Sequence, residues 1–149
     1  MLSAYLFVPP QAVFVRRVID GDTIQLLDGR LVRYIGIDTP EMRRRMGHRW
    51  IEDPQPMARE ATEANRRLVQ GHRLRLEYDA QTYDRYGRLL AYVYVDGVMV
   101  NERLLADGYA RVLRIPPDVR YEARFRQAAA EAKQAKRGLW RDELTTSEK

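Results

Sequence analysis

VFVRRVIDGDTIQLLDGRLVRYIGI, residues 13–37, reads as consecutive β-strands. β-branched residues dominate it, and they favour the pleated, half-buried surface of a sheet. Asp28-Gly29 stands between two apolar runs and predicts a two-residue hairpin, while Asp20-Gly21 marks an earlier turn. In such a turn an aspartate bonds its own backbone, which is the reading that suits Asp20.

Downstream of this stretch the pattern changes. Residues 42–56 carry Arg43, Arg44, Arg45, His48 and Arg49 with Pro54 and Pro56, and read as a loop. Residues 57–70 place Met57, Ala61, Ala64, Leu68 and Val69 at helical spacing, stopped by Gly71. A strand with one wet face follows around Leu74, Leu76 and Tyr78. Residues 81–88 form a turn and residues 89–95 a second strand. Residues 98–108 predict a short helix ending at Gly108, and residues 109–115 a short extended segment. A last helix runs from an Asp118 N-cap to Arg137 along a stripe of Tyr121, Phe125, Ala128, Ala129 and Ala132. Gly138 ends it, and Leu139 and Trp140 fold back on the domain. Strands crowded early with helices interposed later give an α+β fold, mainly β. The expected architecture is a five-stranded Greek-key barrel of the oligonucleotide-binding (OB-fold) type packed by three helices.

The chain has 149 residues, 45% of them hydrophobic, which suits one domain with its own core. Its expected extent is 12–140, preceded by an arm at 1–11 and followed by a frayed tail at 141–149. The arm is apolar but lacks a basic leader and reaches Pro9-Pro10, so it reads poorly as a signal peptide. No apolar run approaches the roughly 20 residues of a membrane span. There is no cysteine, which excludes disulfides and thiol catalysis, and His48 and His72 lie in no ligand-like motif. The net charge is +5, and only Lys133, Lys136 and Lys149 among the 26 basic residues are lysine. That balance favours an acidic partner such as nucleic acid. Guanidinium forks suit phosphate, although a GC-rich genome would also enrich arginine.

Within the strand-rich stretch lie charges that a core would not choose. Asp22 shares the parity of Ile24 and Leu26 and points towards the apolar side, which is costly unless donors or a cation meet it. Arg33 shares the parity of Leu31, Ile35 and Ile37. Asp38 and Glu41 bracket Thr39-Pro40, where proline holds Thr39 extended and leaves its carbonyl free. Two carboxylates, a carbonyl and water make an oxygen set for a hard cation such as Ca2+; the same segment also reads as a loop start or helix N-cap. By alternation Arg33 and Asp38 face opposite ways, so they meet only if the strand breaks between them, and Gly36 is the natural place. Arg88 follows Gly87 in YDRYGR, as a second candidate cation or as the charged shoulder of a hairpin. Together, two carboxylates for a metal, a third for a water and two arginines can hydrolyse a phosphodiester.

The segments IDGDT (19–23), RYIGIDTPE (33–41), DRYGRLLAYVYVDGVMVNERLLADGYARV (84–112) and AKRGLW (135–140) resemble the staphylococcal nuclease (thermonuclease) family, in the family's order and near its spacing. The resemblance covers residues from about 12 to 140. It implies an OB-fold barrel with three helices and a Ca2+-dependent nuclease acting on DNA and RNA to leave 3′-phosphate ends. Carried over position by position, Asp22, Asp38 and the Thr39 carbonyl hold the Ca2+, Arg33 and Arg88 grip the scissile phosphate, and Glu41 acts on the attacking water. Tyr86 matches a tyrosine that contacts a nucleotide phosphate. Two positions depart: Arg114 and Pro116 stand where the family typically carries nucleotide-binding tyrosines. Arg114 is therefore the expected substrate contact there. A monomer is expected. The alternatives are a catalytically inactive relative that binds nucleic acid or protein, and an unrelated basic barrel that stacks on single strands. Retention of Asp22, Arg33, Asp38, Glu41 and Arg88 favours the enzyme. Tyr92 and Tyr94, spaced with Leu90, suit core packing as well as stacking.

Overall fold

The computed structural model describes residues 13–141; the expected arm at 1–11 and the tail beyond Arg141 lie outside the described residues. Five strands form the main path: β1 (Val15–Asp20), β2 (Thr23–Leu26), β3 (Leu31–Tyr34), and then, after four intervening elements described below, β7 (Arg75–Glu77) and β8 (Leu89–Val95). Their order is β1-β2-β3-β8-β7, with β3 and β8 parallel and the other neighbours antiparallel. The sheet curls until its two ends meet. Val13, just before β1, bridges Leu74, just before β7, and the Leu74 N–H donates to the Val13 carbonyl at 2.8 Å. This is the five-stranded barrel expected of the strand-rich sequence. β9 (Val98–Met99) adds to β8, and β4 (Ile37–Asp38) pairs with β10 (Arg111–Val112).

The core lines the inside of this curl. Ile24, Leu26, Val32, Tyr34, Leu89 and Val93 are almost fully buried, and Tyr92 and Tyr94 are core residues too. Helices α1 (Ala58–Val69), α2 (Val100–Ala106) and α3 (Glu122–Gln134) cover it. Phe125, Ala128 and Ala132 of α3 are buried as their spacing predicts. Trp140 folds back and is buried beneath the Arg111 guanidinium, 4.5 Å from its ring centroid. Among the described residues no helix is long and apolar enough to cross a membrane.

Four local expectations are corrected. Residues 42–56 are not a loop throughout: β5 (Arg43–Met46) and β6 (Arg49–Glu52) form an antiparallel hairpin. Only Ile51 of the eight residues is even half-buried, so the segment carries no apolar alternation to betray it. The β2–β3 connection is longer than two residues. The Gly29 N–H closes on the Leu26 carbonyl at 2.9 Å, Gly29 takes φ +93°, and Arg30 pairs back to Leu26. Asp118 does not cap the last helix, which begins at Glu122; its carboxylate instead accepts the Gln81 N–H at 2.7 Å. Finally, Arg33 is not on the apolar face of β3. Val32 and Tyr34 are buried there while Leu31 is exposed. Strand β3 stops at Tyr34, so Ile35 and Ile37 do not continue its alternation.

The break falls at Gly36, which takes φ +81°. A Cβ at this position would stand 2.4 Å from the Phe125 ring. A side chain is therefore excluded twice, by backbone conformation and by α3. The Gly36 carbonyl accepts the Leu113 N–H at 2.9 Å, which ties the break to the segment after β10. Asn101, fully buried at the start of α2, holds the same corner. Its amide donates to the Ile35 carbonyl at 2.9 Å and its oxygen accepts the Val93 N–H at 2.9 Å.

Candidate active site

The turn at Asp20-Gly21, the end of β3 and the β4 strand meet at one corner of the barrel. Asp22 is buried there, and its carboxylate is met by donors as a buried charge requires. Oδ2 accepts the Thr39 N–H at 2.9 Å and Oδ1 accepts the Thr23 hydroxyl at 3.0 Å. Asp20 behaves as a turn aspartate and accepts the Asp22 N–H at 3.0 Å. Thr39 packs over Gly21 so closely that a Cβ on Gly21 would lie 2.6 Å from its hydroxyl oxygen.

The chain reversal at Gly36 brings Arg33 and Asp38 together. Arg33 Nη1 donates to the carbonyls of Tyr34 and Ile37, each at 2.9 Å. Nη2 stands 3.4 Å from Asp22 Oδ2 and 3.4 Å from Asp38 Oδ1. Both Nη1 hydrogens are thus committed to backbone, whereas Nη2 makes only long contacts. Nη2 is the edge left to grip an anion. Asp38 itself is about half exposed, and Glu41 is exposed next to it. Gln55 fixes the Glu41 backbone reciprocally: its side-chain oxygen accepts the Glu41 N–H at 2.8 Å, and its N–H donates to the Glu41 carbonyl at 2.9 Å.

Arg88 arrives from the turn before β8. Its guanidinium Nε donates to Asp84 Oδ2 at 2.7 Å, and its N–H to Asp84 Oδ1 at 3.0 Å. Arg33 and Arg88 line one groove of ≈ 420 Å³ whose wall includes Tyr86, Leu113 and Ile115. Tyr86 is widely exposed beside it, with the Arg85 and Arg88 guanidinium carbons 4.9 Å and 5.5 Å from its ring centroid. Arg114 is placed elsewhere. The extended segment alternates, so Leu113 and Ile115 face the groove while Arg114 Nε donates to Glu122 at 3.1 Å.

Crowding of carboxylates sets the electrostatics. Burial, and then the negative charge of Asp22, hold the Asp38 carboxyl above the usual range, with Arg33 opposing. Glu41, though exposed at its surface, is likewise raised by partial desolvation of its inner side and by Asp22 and Asp38, against Arg33 and Arg88. Asp20 is pushed to about 7 by burial and by Asp22. Asp84 differs. Burial pushes it up, but hydrogen bonds from Arg88 and Tyr86 together with the Arg88 charge hold it below its ordinary value.

A family model described as staphylococcal nuclease homologue matches residues 31–142. The chain is 41% identical to a thermonuclease of Staphylococcus hyicus over 134 residues, which are 87% of this chain and 76% of that protein. It is 38% identical to a thermonuclease of Staphylococcus intermedius over 134 residues, again 87% and 76% of the two chains. The chain belongs to the staphylococcal nuclease family. Endonuclease YncB of Bacillus subtilis (strain 168) is 42% identical over 133 residues, 86% of this chain and 61% of that relative.

Within this staphylococcal nuclease domain, three residues that support the site escaped the sequence reading. Asn65 is fully buried in α1, where its oxygen accepts the Tyr34 hydroxyl at 2.6 Å and its amide donates to the Asp20 carbonyl at 2.9 Å. An asparagine inside the Ala61–Ala64–Leu68 stripe was the available signal. Asp84 and Gln55 carried none, since each looks like an ordinary loop residue. Among the described residues no three His, Cys, Asp or Glu side chains converge as a metal cluster. The donors at hand are two carboxylates reached by one guanidinium nitrogen, beside a threonine. That all-oxygen, net-negative set suits a hard cation that keeps water ligands.

Proposed function

We propose that this chain is a Ca2+-dependent nuclease that hydrolyses phosphodiester bonds of DNA and RNA with little sequence preference. The observation that carries the reading is the placement of Arg33 and Arg88 in one groove, with Arg33 Nη2 drawn between Asp22 and Asp38. The names of the relatives, thermonuclease and endonuclease, support it. Asp22, Asp38 and the Thr39 carbonyl are the residues that would hold Ca2+, which would neutralise charge on a phosphoryl oxygen.

The remaining roles belong to side chains. Arg33 through Nη2 and Arg88 through its free nitrogens bind the oxygens of the scissile phosphate and stabilise the charge that grows there. Glu41 takes a proton from a water whose oxygen bonds to phosphorus. The bond from phosphorus to the 5′ oxygen breaks, that oxygen takes a proton from solvent as it leaves, Glu41 returns its own to solvent, and the phosphate stays on the 3′ end of the other product. Tyr86 borders the groove where the adjoining nucleotide would lie. A digest of a single-stranded oligonucleotide in calcium, with end-group analysis, tests the direction of cleavage. The reading expects 3′-phosphate and 5′-hydroxyl ends; 5′-phosphate ends would overturn it.

A further inference from the structure

Arg88 lines two grooves. Besides the one shared with Arg33, it borders a second of ≈ 300 Å³ whose wall includes Glu41, Arg17, Arg43 and Trp50. The β5–β6 hairpin supplies its outer side. In the hairpin register Arg43 faces Glu52 and Arg45 faces Trp50. Directly opposed residues of an antiparallel pair share a face, and residues two apart share it too. Arg43, Arg45, Trp50 and Glu52 therefore share one face, from which Arg43 and Trp50 line the groove, while Arg44, Met46, Arg49 and Ile51 stand on the other; Glu52 lies 3.8 Å from the Arg59 guanidinium.

This face is exposed and packs on no core. Trp50 is 62% exposed, an unusual state for so large an apolar ring, and it packs against no other aromatic ring or cation among the described residues. Arg17 and Arg43 make no ion pair among the described residues. Arg44, on the far face, is by contrast tied to Asp53. A free indole flanked by unpaired guanidinium groups matches a strand of alternating bases and phosphates.

We propose that the second groove binds single-stranded nucleic acid on the opposite side of the scissile phosphate from the Arg33 groove. Trp50 stacks on a base there, and Arg17 and Arg43 take the neighbouring phosphates. The proposal rests on the nuclease reading for its substrate, and it makes the enzyme one that engages polymer across the cut. Asp20 and Glu41 also border the groove, so the phosphates sit at Arg17 and Arg43 and away from these two carboxylates.

The test compares wild type with Trp50→Ala, Trp50→Phe and Arg43→Gln. Binding of a fluorescein-labelled single-stranded dodecanucleotide is followed by anisotropy in excess EGTA, and cleavage is followed separately in calcium on the dodecanucleotide and on a nucleoside 5′-nitrophenyl phosphate ester. Trp50→Ala should weaken dodecanucleotide binding by about 10-fold or more, and Trp50→Phe should recover most of it. Arg43→Gln should lower the slope of log affinity against log salt by roughly one phosphate contact. The loss of cleavage should be larger on the dodecanucleotide than on the small ester, which carries no base and no further phosphate into the groove; an equal loss on both would contradict a polymer site. Wild-type affinity and salt slope in both Trp50→Ala and Arg43→Gln would overturn the groove. Failure of wild type to cleave either substrate would overturn the nuclease reading instead, while the binding arm still decides the groove.

Discussion

Asp84 holds Arg88 at two points, receiving its Nε at 2.7 Å and its N–H at 3.0 Å. The carboxylate thereby fixes both the backbone and the guanidinium of a residue that borders both grooves. Asp84→Asn keeps the size of the side chain but loses the charge-assisted acceptor. We expect kcat to fall by up to about 10²-fold, the cost typical of a small misplacement of a catalytic group. Calcium affinity should stay at the wild-type value, measured by titration calorimetry.

The same pair gives a pH signature. The folded Asp84 carboxyl lies below its ordinary value of 3.8, so its ionised form stabilises the fold. That contribution is fully present above the unfolded value and is lost as pH falls through the lower folded value. The stability difference between wild type and Asp84→Asn should therefore be constant from neutral pH down to about 5 and shrink in more acidic solution. Urea unfolding across that range measures it; a difference that grows on acidification would contradict the assignment.

Arg33→Lys should be far from conservative. An ammonium cannot hold the Tyr34 and Ile37 carbonyls and also present a second nitrogen between Asp22 and Asp38. Loss of one directed donor in such a site costs about 10²–10³ in rate. Single-turnover cleavage by a lysine variant that folds normally should show this loss. An unchanged rate would make Arg33 a structural residue.

Asn65→Ala should reduce stability, because it strands the buried Tyr34 hydroxyl and removes the bond to the Asp20 carbonyl. Each buried group left unpaired costs about 1–3 kcal/mol. Thermal unfolding would register the loss as a lower Tm, and Asn65→Asp should not repair it, since a carboxylate cannot donate to the Asp20 carbonyl.

The sequence was most informative where backbone chemistry limits the options. Gly36 had to break the strand if Arg33 was to meet Asp38, and it does so with φ +81° against Phe125. Asp22 had to find donors if it was buried, and it finds Thr39 and Thr23. Parity misled at Arg33, because Ile35 and Ile37 look like a continuation of β3 although the strand ends at Tyr34. The β5–β6 hairpin was hidden because solvent bathes almost all of it, leaving no hydrophobic period to read. Asp118 has the residue type of a cap, but the tertiary partner Gln81 claims it. Arg114 lay at the expected sequence position, yet alternation turned Leu113 and Ile115 to the groove and left the arginine to Glu122.

On the proposed mechanism, Asp22 and Asp38 hold a calcium ion without which the arginine groove does not cleave. This requirement is tested most directly by digesting single-stranded DNA and RNA with wild type and Asp22→Asn, in calcium and in excess EGTA. Wild type should cut both polymers in calcium, stop in EGTA and recover when calcium is restored, while Asp22→Asn should need much more calcium and remain slow. Undiminished cleavage in excess EGTA, or an Asp22→Asn variant with wild-type activity at the same calcium concentration, would contradict the account.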